Sequence, residues 1–267
     1  MNFIHVQARR IEYEFIEPMP LSQQRPTIVF LHEGLGSRAL WKEFPQQIVA
    51  ATGCQALVYS RYGYGDSDPL QAARSVDFMH EEALGALPEL LDKLEVERPL
   101  LLGHSDGGSI ALIHAGGSQR GVCGVIAMAP HVFVEDLSIN SIQAAKLQYL
   151  KTDWRAKLGR YHADPDSAFW GWNDVWLHPQ FRTWNIEAYL PQITCKILAI
   201  QGEDDEYGTV EQIERIGRAA PQVELLQLAQ CGHSPHRDQP QKVITAVTQY
   251  VNQLVCPPQT VAAARAS

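Results

Sequence analysis

The sequence predicts an α/β protein built on one doubly wound, mostly parallel sheet of about eight strands. Three observations predict it. Short runs such as residues 27–31 and 100–102 are continuously apolar, as strands must be when helices cover both faces of a sheet. Helical stretches alternate with these runs. Gly-rich turns follow the runs at residues 27–31 and 100–102, where a strand hands over to a helix. The composition agrees. The 267 residues are 45% hydrophobic and 19% charged, values of a globular chain long enough for a sizeable core.

Residues 3–7 and 11–16 read as a hairpin. Residues 27–31, 56–59, 100–102, 125–128, 197–200 and 223–228 read as the remaining strands. Helices are expected at residues 39–52, 76–94 with an interruption at Pro88, 105–115, 210–219 and 241–254. The rhythm fails once, between Pro130 and Lys196. This stretch reads as several short helices and holds 11 of the chain's 23 aromatic residues, including five of its six Trp. The expected organisation is therefore a core of residues 1–130 and 191–255, with a helical lid of residues 131–190 inserted after the sixth strand. Residues 256–267 are small and polar and are expected to form a flexible tail.

Composition also excludes partners. Lys plus Arg is 22 and Asp plus Glu is 30, a formal net charge of -8. That argues against nucleic acid as a partner. No apolar run approaches the roughly 18–20 residues of a membrane helix, so no membrane partner is expected. Residues 1–10 carry no signal-peptide pattern, which places the protein in the cytoplasm as an expectation. Cys54, Cys123, Cys195, Cys231 and Cys256 are odd in number and form no C-x-x-C pair. Reduced thiols are expected, and no structural zinc site.

The chemistry concentrates in three turns. Gly103-x-Ser105-x-Gly107 follows a strand and opens a helix. A serine on such a turn is lifted off the sheet, and the helix N-terminus beside it presents free N–H groups. Its hydroxyl needs a base, and the base needs an orienting acid. The acidic turn at residues 203–205 offers Asp205, with Asp204 as the alternative. The turn at residues 231–236 offers His233, with His236 as the alternative.

With these motifs in the order Ser105, Asp205, His233, the chain resembles the α/β-hydrolase superfamily over nearly its whole length, in its serine-nucleophile, esterase- and lactonase-like branch. The resemblance implies the α/β-hydrolase fold. The superfamily's first strand–helix loop commonly reads His-Gly-x-x-Gly; here His32-Glu-Gly-Leu-Gly36 stands there. The resemblance implies an oxyanion hole from the backbone N–H groups of Gly34 and Asp106, with Leu35 replacing Gly34 if the alignment shifts by one. Ser60-Arg-Tyr-Gly-Tyr-Gly-Asp-Ser67 resembles the superfamily's Asp-x-x-Gly-x-Gly-x-Ser loop, with Ser60 in place of Asp. It is read as mainly structural, with Arg61 or Tyr62 reaching the pocket rim.

Glu33 and Asp106 flank the oxyanion position, where negative charge opposes catalysis. Their side chains are expected to turn away or pair with a cation; the sharper reading is a cation-recognising subsite. His131, Trp170 and Trp176 are candidate pocket residues. The expected function is hydrolysis of a small apolar or aromatic ester, thioester or lactone through an acyl-enzyme, without metal or cofactor. C–C bond hydrolysis, acyl transfer and perhydrolysis use the same triad, and a non-catalytic binding protein of the same fold is the alternative of another class. The expected partner is a small ester-like molecule. The aromatic lid is also a candidate homodimer surface.

Overall fold

The computed structural model describes residues 1–19 and 25–254; the expected tail at residues 256–267 lies outside them. β1 (Asn2–Val6) and β2 (Arg9–Ile16) form an antiparallel hairpin. Its turn residues Gln7 and Ala8 have φ of 50° and 61°, the left-handed geometry that matches a two-residue turn to strand twist. β3 (Ile28–Leu31), β4 (Ala56–Tyr59), β5 (Leu100–His104), β6 (Gly124–Met128), β7 (Lys196–Gly202) and β8 (Val223–Leu228) complete one eight-stranded sheet in the order β1-β2-β4-β3-β5-β6-β7-β8. β2 pairs antiparallel with β4, and every pairing beyond it is parallel.

Helices connect the parallel strands. α1 (Phe44–Thr52) precedes β4, α2 (Phe78–Glu81) and α3 (Leu87–Lys93) precede β5, and α4 (Asp106–Gly117) follows it. Between β6 and β7 the chain leaves the sheet and forms α5 (Asp136–Lys151), α6 (Trp154–Leu158), α7 (Pro165–Trp176) and two 3₁₀ segments, Pro179–Thr183 and Glu187–Gln192. α8 (Glu211–Ala219) precedes β8, and α9 (Pro235–Asp238) and α10 (Pro240–Gln253) close the described chain.

Two helices differ from expectation. The expected helix at residues 39–52 is split into a 3₁₀ turn, Ala39–Trp41, and α1, because Lys42 between them adopts φ 51°. The expected interruption at Pro88 is absorbed instead of breaking the segment. A π-helical turn, Glu82–Ala86, joins α2 to α3, and the Leu87 N–H reaches back five residues to Glu82 O. Pro88 has no N–H to give to the carbonyl four residues back. The wider turn seats it without a kink.

Strand residues alternate between two apolar layers. Val29, Leu31, Leu101, Val125, Ala127, Ile197 and Ala199 join the layer under α2, α3, α4, α8 and the inserted helices. Ile28, Phe30, Leu100, Leu102, Ile126, Met128, Leu198 and Ile200 join the layer under α1 and α10. Burial on both faces is why these strands read as continuous apolar runs. It also confines polar chemistry to the carboxyl ends of β3, β5, β6, β7 and β8, where the loops of interest emerge.

Candidate active site

Ser105 caps α4 with φ 53° and ψ -122°, a strained conformation for a non-glycine residue. The crowding is measurable at Gly107, where an added Cβ would lie 1.9 Å from the Leu31 carbonyl oxygen. The turn thus packs backbone against the end of β3. Ser105 N–H donates to Met128 O at 2.9 Å, which ties the turn to β6.

His233, on the loop after β8, places Nε2 2.9 Å from Ser105 Oγ. Its Nδ1 lies 2.9 Å from each carboxylate oxygen of Asp205. Asp205 is held in turn by Gln201 Nε2 at 2.6 Å and by the N–H groups of Tyr207 and Gly208 at 2.8 and 3.2 Å. Burial works against ionisation of Asp205, yet His233 and these hydrogen bonds outweigh it and hold the carboxyl below its ordinary range. Burial likewise disfavours the His233 imidazolium, but the Asp205 carboxylate outweighs it and leaves the pKa raised. The two sequence alternatives stand apart. Asp204 is exposed at the surface of the turn. His236 is buried against Trp41, Phe44 and His104 at ring distances of 5.0, 5.2 and 4.9 Å.

The loop after β3 is pinned from below. Arg61 is fully buried, and its Nη2 donates to the carbonyls of His32 and Glu33 at 3.2 and 3.0 Å. Arg61 is therefore a strut under this loop, not a rim residue. Tyr62 faces outward, its hydroxyl accepting from Gln71 N–H at 2.8 Å and its ring lying under Arg9. Ser60 lacks the acid of the Asp-x-x-Gly pattern, but Glu12 on β2 supplies a carboxylate in its place. That side chain accepts from Ser60 Oγ and from Asp66 N–H at 2.9 Å, and pairs with Arg38 at 3.1 Å. Glu12 and Gln201 belong to no motif in the sequence, and Trp172 is one of the five Trp of the inserted stretch. For Glu12 the signal was a carboxylate within a strand.

The remaining candidates sort by helix face. Trp172 and Trp176 are one turn apart on α7 and face the loop of Gly34 and the Ser105–Asp106 turn. An added Cβ on Gly34 would lie 2.2 Å from the Trp172 ring, and Trp176 Nε1 donates to Asp106 Oδ1 at 3.2 Å. Trp170 was an expected pocket residue, but it lies two residues from Trp172 and so projects from the opposite side of the helix. It packs on Tyr149 and Lys146 of α5, at 5.6 and 5.4 Å. His131 is buried, 4.9 Å from the Trp176 ring and 5.9 Å from that of His233. Burial, reinforced by the His233 charge, pushes its pKa down to about 3, so it is neutral at ordinary pH.

Glu33 turns away from Ser105, towards His104 and Arg237, each 3.5 Å away. Burial opposes its ionisation, but His104 and Arg237 prevail and hold the carboxyl well below its ordinary value. Asp106 makes no ion pair within 4 Å among the described residues. Burial raises its pKa against the opposing charge of Arg61 and Arg74. As the first residue of α4, Asp106 has an N–H with no acceptor inside the helix. Among the described residues no group of three or more His, Cys, Asp or Glu is arranged to hold a metal.

Residues 28–246 match the model of the alpha/beta hydrolase family. The chain belongs to that family. A curated relative, the sn-1-specific diacylglycerol lipase ABHD11 of Mus musculus, is 25% identical over 279 residues, covering 88% of this chain and 86% of that protein. Among solved structures, a thermophilic esterase from Thermogutta terrifontis superposes with a TM-score of 0.72 at 16% identity, over 94% of this chain and 98% of that one. The enol-lactonase of Burkholderia xenovorans LB400 superposes with a TM-score of 0.75 at 14% identity, over 94% and 100%. The two structural likenesses establish a shared fold. No described helix is long and apolar enough to cross a membrane.

Proposed function

We propose that this family member is a serine hydrolase that cleaves small carboxylic esters, thioesters or lactones through an acyl-enzyme on Ser105. The observation that carries the reading is the hydrogen-bonded series Asp205–His233–Ser105, with 2.9 Å at each link. His233 Nε2 takes the Ser105 proton as Oγ attacks the carbonyl carbon. Asp205 holds the proton on Nδ1 and balances the imidazolium that forms. The tetrahedral oxyanion receives the N–H groups of Gly34 and Asp106; one such donor is typically worth about 10²–10³ in rate. His233 then protonates the leaving oxygen or sulfur. It next deprotonates the water that releases the acyl group.

The Trp172, Trp176, His131 and Tyr207 rings near Ser105 and His233 support a small apolar or aromatic acyl group. Tyr207 lies 4.8 Å from the His233 ring. p-Nitrophenyl esters of short aliphatic and aromatic acids test the reading. Ser105→Ala is expected to lower kcat at least ~10³-fold with the fold intact. Equal turnover by the variant and the wild type would refute it.

A further inference from the structure

The reaction above leaves unused the polar side chains on the far side of His233. Glu33 reaches back from the loop after β3, with Oε2 3.5 Å from His104 Nδ1 and Oε1 3.5 Å from Arg237 Nη2. His104, the buried last residue of β5, has Nε2 2.6 Å from the His233 carbonyl oxygen. A carbonyl only accepts, so the Nε2 proton is committed there. Nδ1 then lies 3.5 Å from Glu33 Oε2, a close approach without hydrogen-bond geometry. Arg237, on α9 just beyond His233, also donates to Leu40 O at 3.2 Å. On the other side of the same residue, His233 N–H donates to Glu206 Oε2 at 3.1 Å.

One carboxylate therefore touches the strand that ends just before Ser105 and the helix that follows His233, from the loop that carries Gly34. We propose that Glu33 is a positioning residue: through His104 and Arg237 it fixes the His233 loop against the nucleophile turn and the Gly34 loop. The proposal rests on Ser105, Asp205 and His233 being the catalytic set. The geometry it protects is demanding, because a misplacement of about 1 Å can cost on the order of 10² in rate.

The charge of Glu33 also reaches the base. Glu33 is faced by His104 from β5, by Arg237 and His236 from α9, by neighbouring His32 and by His162. His233 is faced by Asp205, Glu206, Tyr207, His104, His131, His236 and Asp106. A carboxylate on this side favours the imidazolium, so its removal moves the acid limb of kcat/KM to lower pH. A side chain that only filled space would leave that limb in place.

The test compares the wild type, Glu33→Gln, His104→Asn and the double variant. Each is assayed by p-nitrophenyl ester kinetics across pH and by the rate of fluorophosphonate labelling. Glu33→Gln is expected to lower kcat roughly ten- to a hundred-fold with KM within about two-fold, and to shift the acid limb downward. The double variant is expected to be no slower than the slower single variant, because both break one chain of contacts. A Glu33→Gln enzyme with wild-type kcat and pH profile overturns the proposal, and so do multiplicative losses in the double variant. If His104→Asn fails to fold, Arg237→Gln takes its place under the same criterion. A wild type that neither turns over ester nor takes the label overturns the serine-hydrolase reading along with it.

Discussion

At His233 two effects oppose each other: burial disfavours the imidazolium, and the Asp205 carboxylate favours it and prevails. In the proposed reaction His233 must be neutral to accept the Ser105 proton. Activity should therefore rise with pH through a value above 6.5, the ordinary histidine figure. Asp205→Asn is expected to lower kcat by about 10³–10⁴-fold and to move the acid limb down. An unmoved limb would show that Asp205 does not set the charge of the base. At this scale Ser105, Asp205 and His233 were legible in the sequence, because each sits in a short turn at a strand end. The direction of a helical side chain was not. Choosing Trp172 over Trp170 requires the rotation of α7 about its axis, which tertiary packing fixes. Nor was the substitution of Glu12 for the expected acid at position 60 legible, since it joins β2 to the loop after β4 across 48 residues.

Elements explain why the site is rigid. The Ser105 turn exists because β5, α4 and β3 meet backbone to backbone at Gly107, and only a residue without Cβ fits there. Gly107→Ala is expected to lower stability by the upper part of the ~1–3 kcal/mol typical of overpacking, read as a reduced urea midpoint, with catalysis falling as well. An unchanged midpoint would mean that the contact relaxes freely. The inserted helices are fixed to the acid loop: Ser138 and Ser141 of α5 donate to the carbonyls of Tyr207 and Glu206. Asn173 of α7 donates to Ile142 O of α5 at 3.0 Å. Strands β3 to β7 were legible because burial on both faces imposes continuous apolar runs. Helix ends were less so. The break at Lys42 and the π turn before Pro88 are local accommodations to packing, invisible to periodicity.

Across the whole molecule, histidine burial should govern the response to acid. Burial is the largest effect lowering the pKa of His32, His114, His131, His162 and His236. The unfolded chain binds protons at these positions near pH 6.5 while the folded chain resists them, so stability is lost as pH falls below that value. Asp205 and Glu33, held low, add a further loss only as pH approaches the ordinary carboxylate range. His233 acts in the opposite sense, its contribution present below pH 6.5 and lost as pH rises through its folded pKa. The urea midpoint is therefore expected to drop between pH 7 and 5. A flat midpoint over that window would contradict the burial of neutral imidazoles. All of these elements converge on one claim, that Ser105 carries the acyl group. Acid quenching of the enzyme during turnover of p-nitrophenyl acetate, followed by peptide mass spectrometry, tests it most directly. An acetyl adduct is expected on the Ser105 peptide and absent from Ser105→Ala. Steady turnover with no adduct on Ser105, retained in the Ser105→Ala variant, would contradict it.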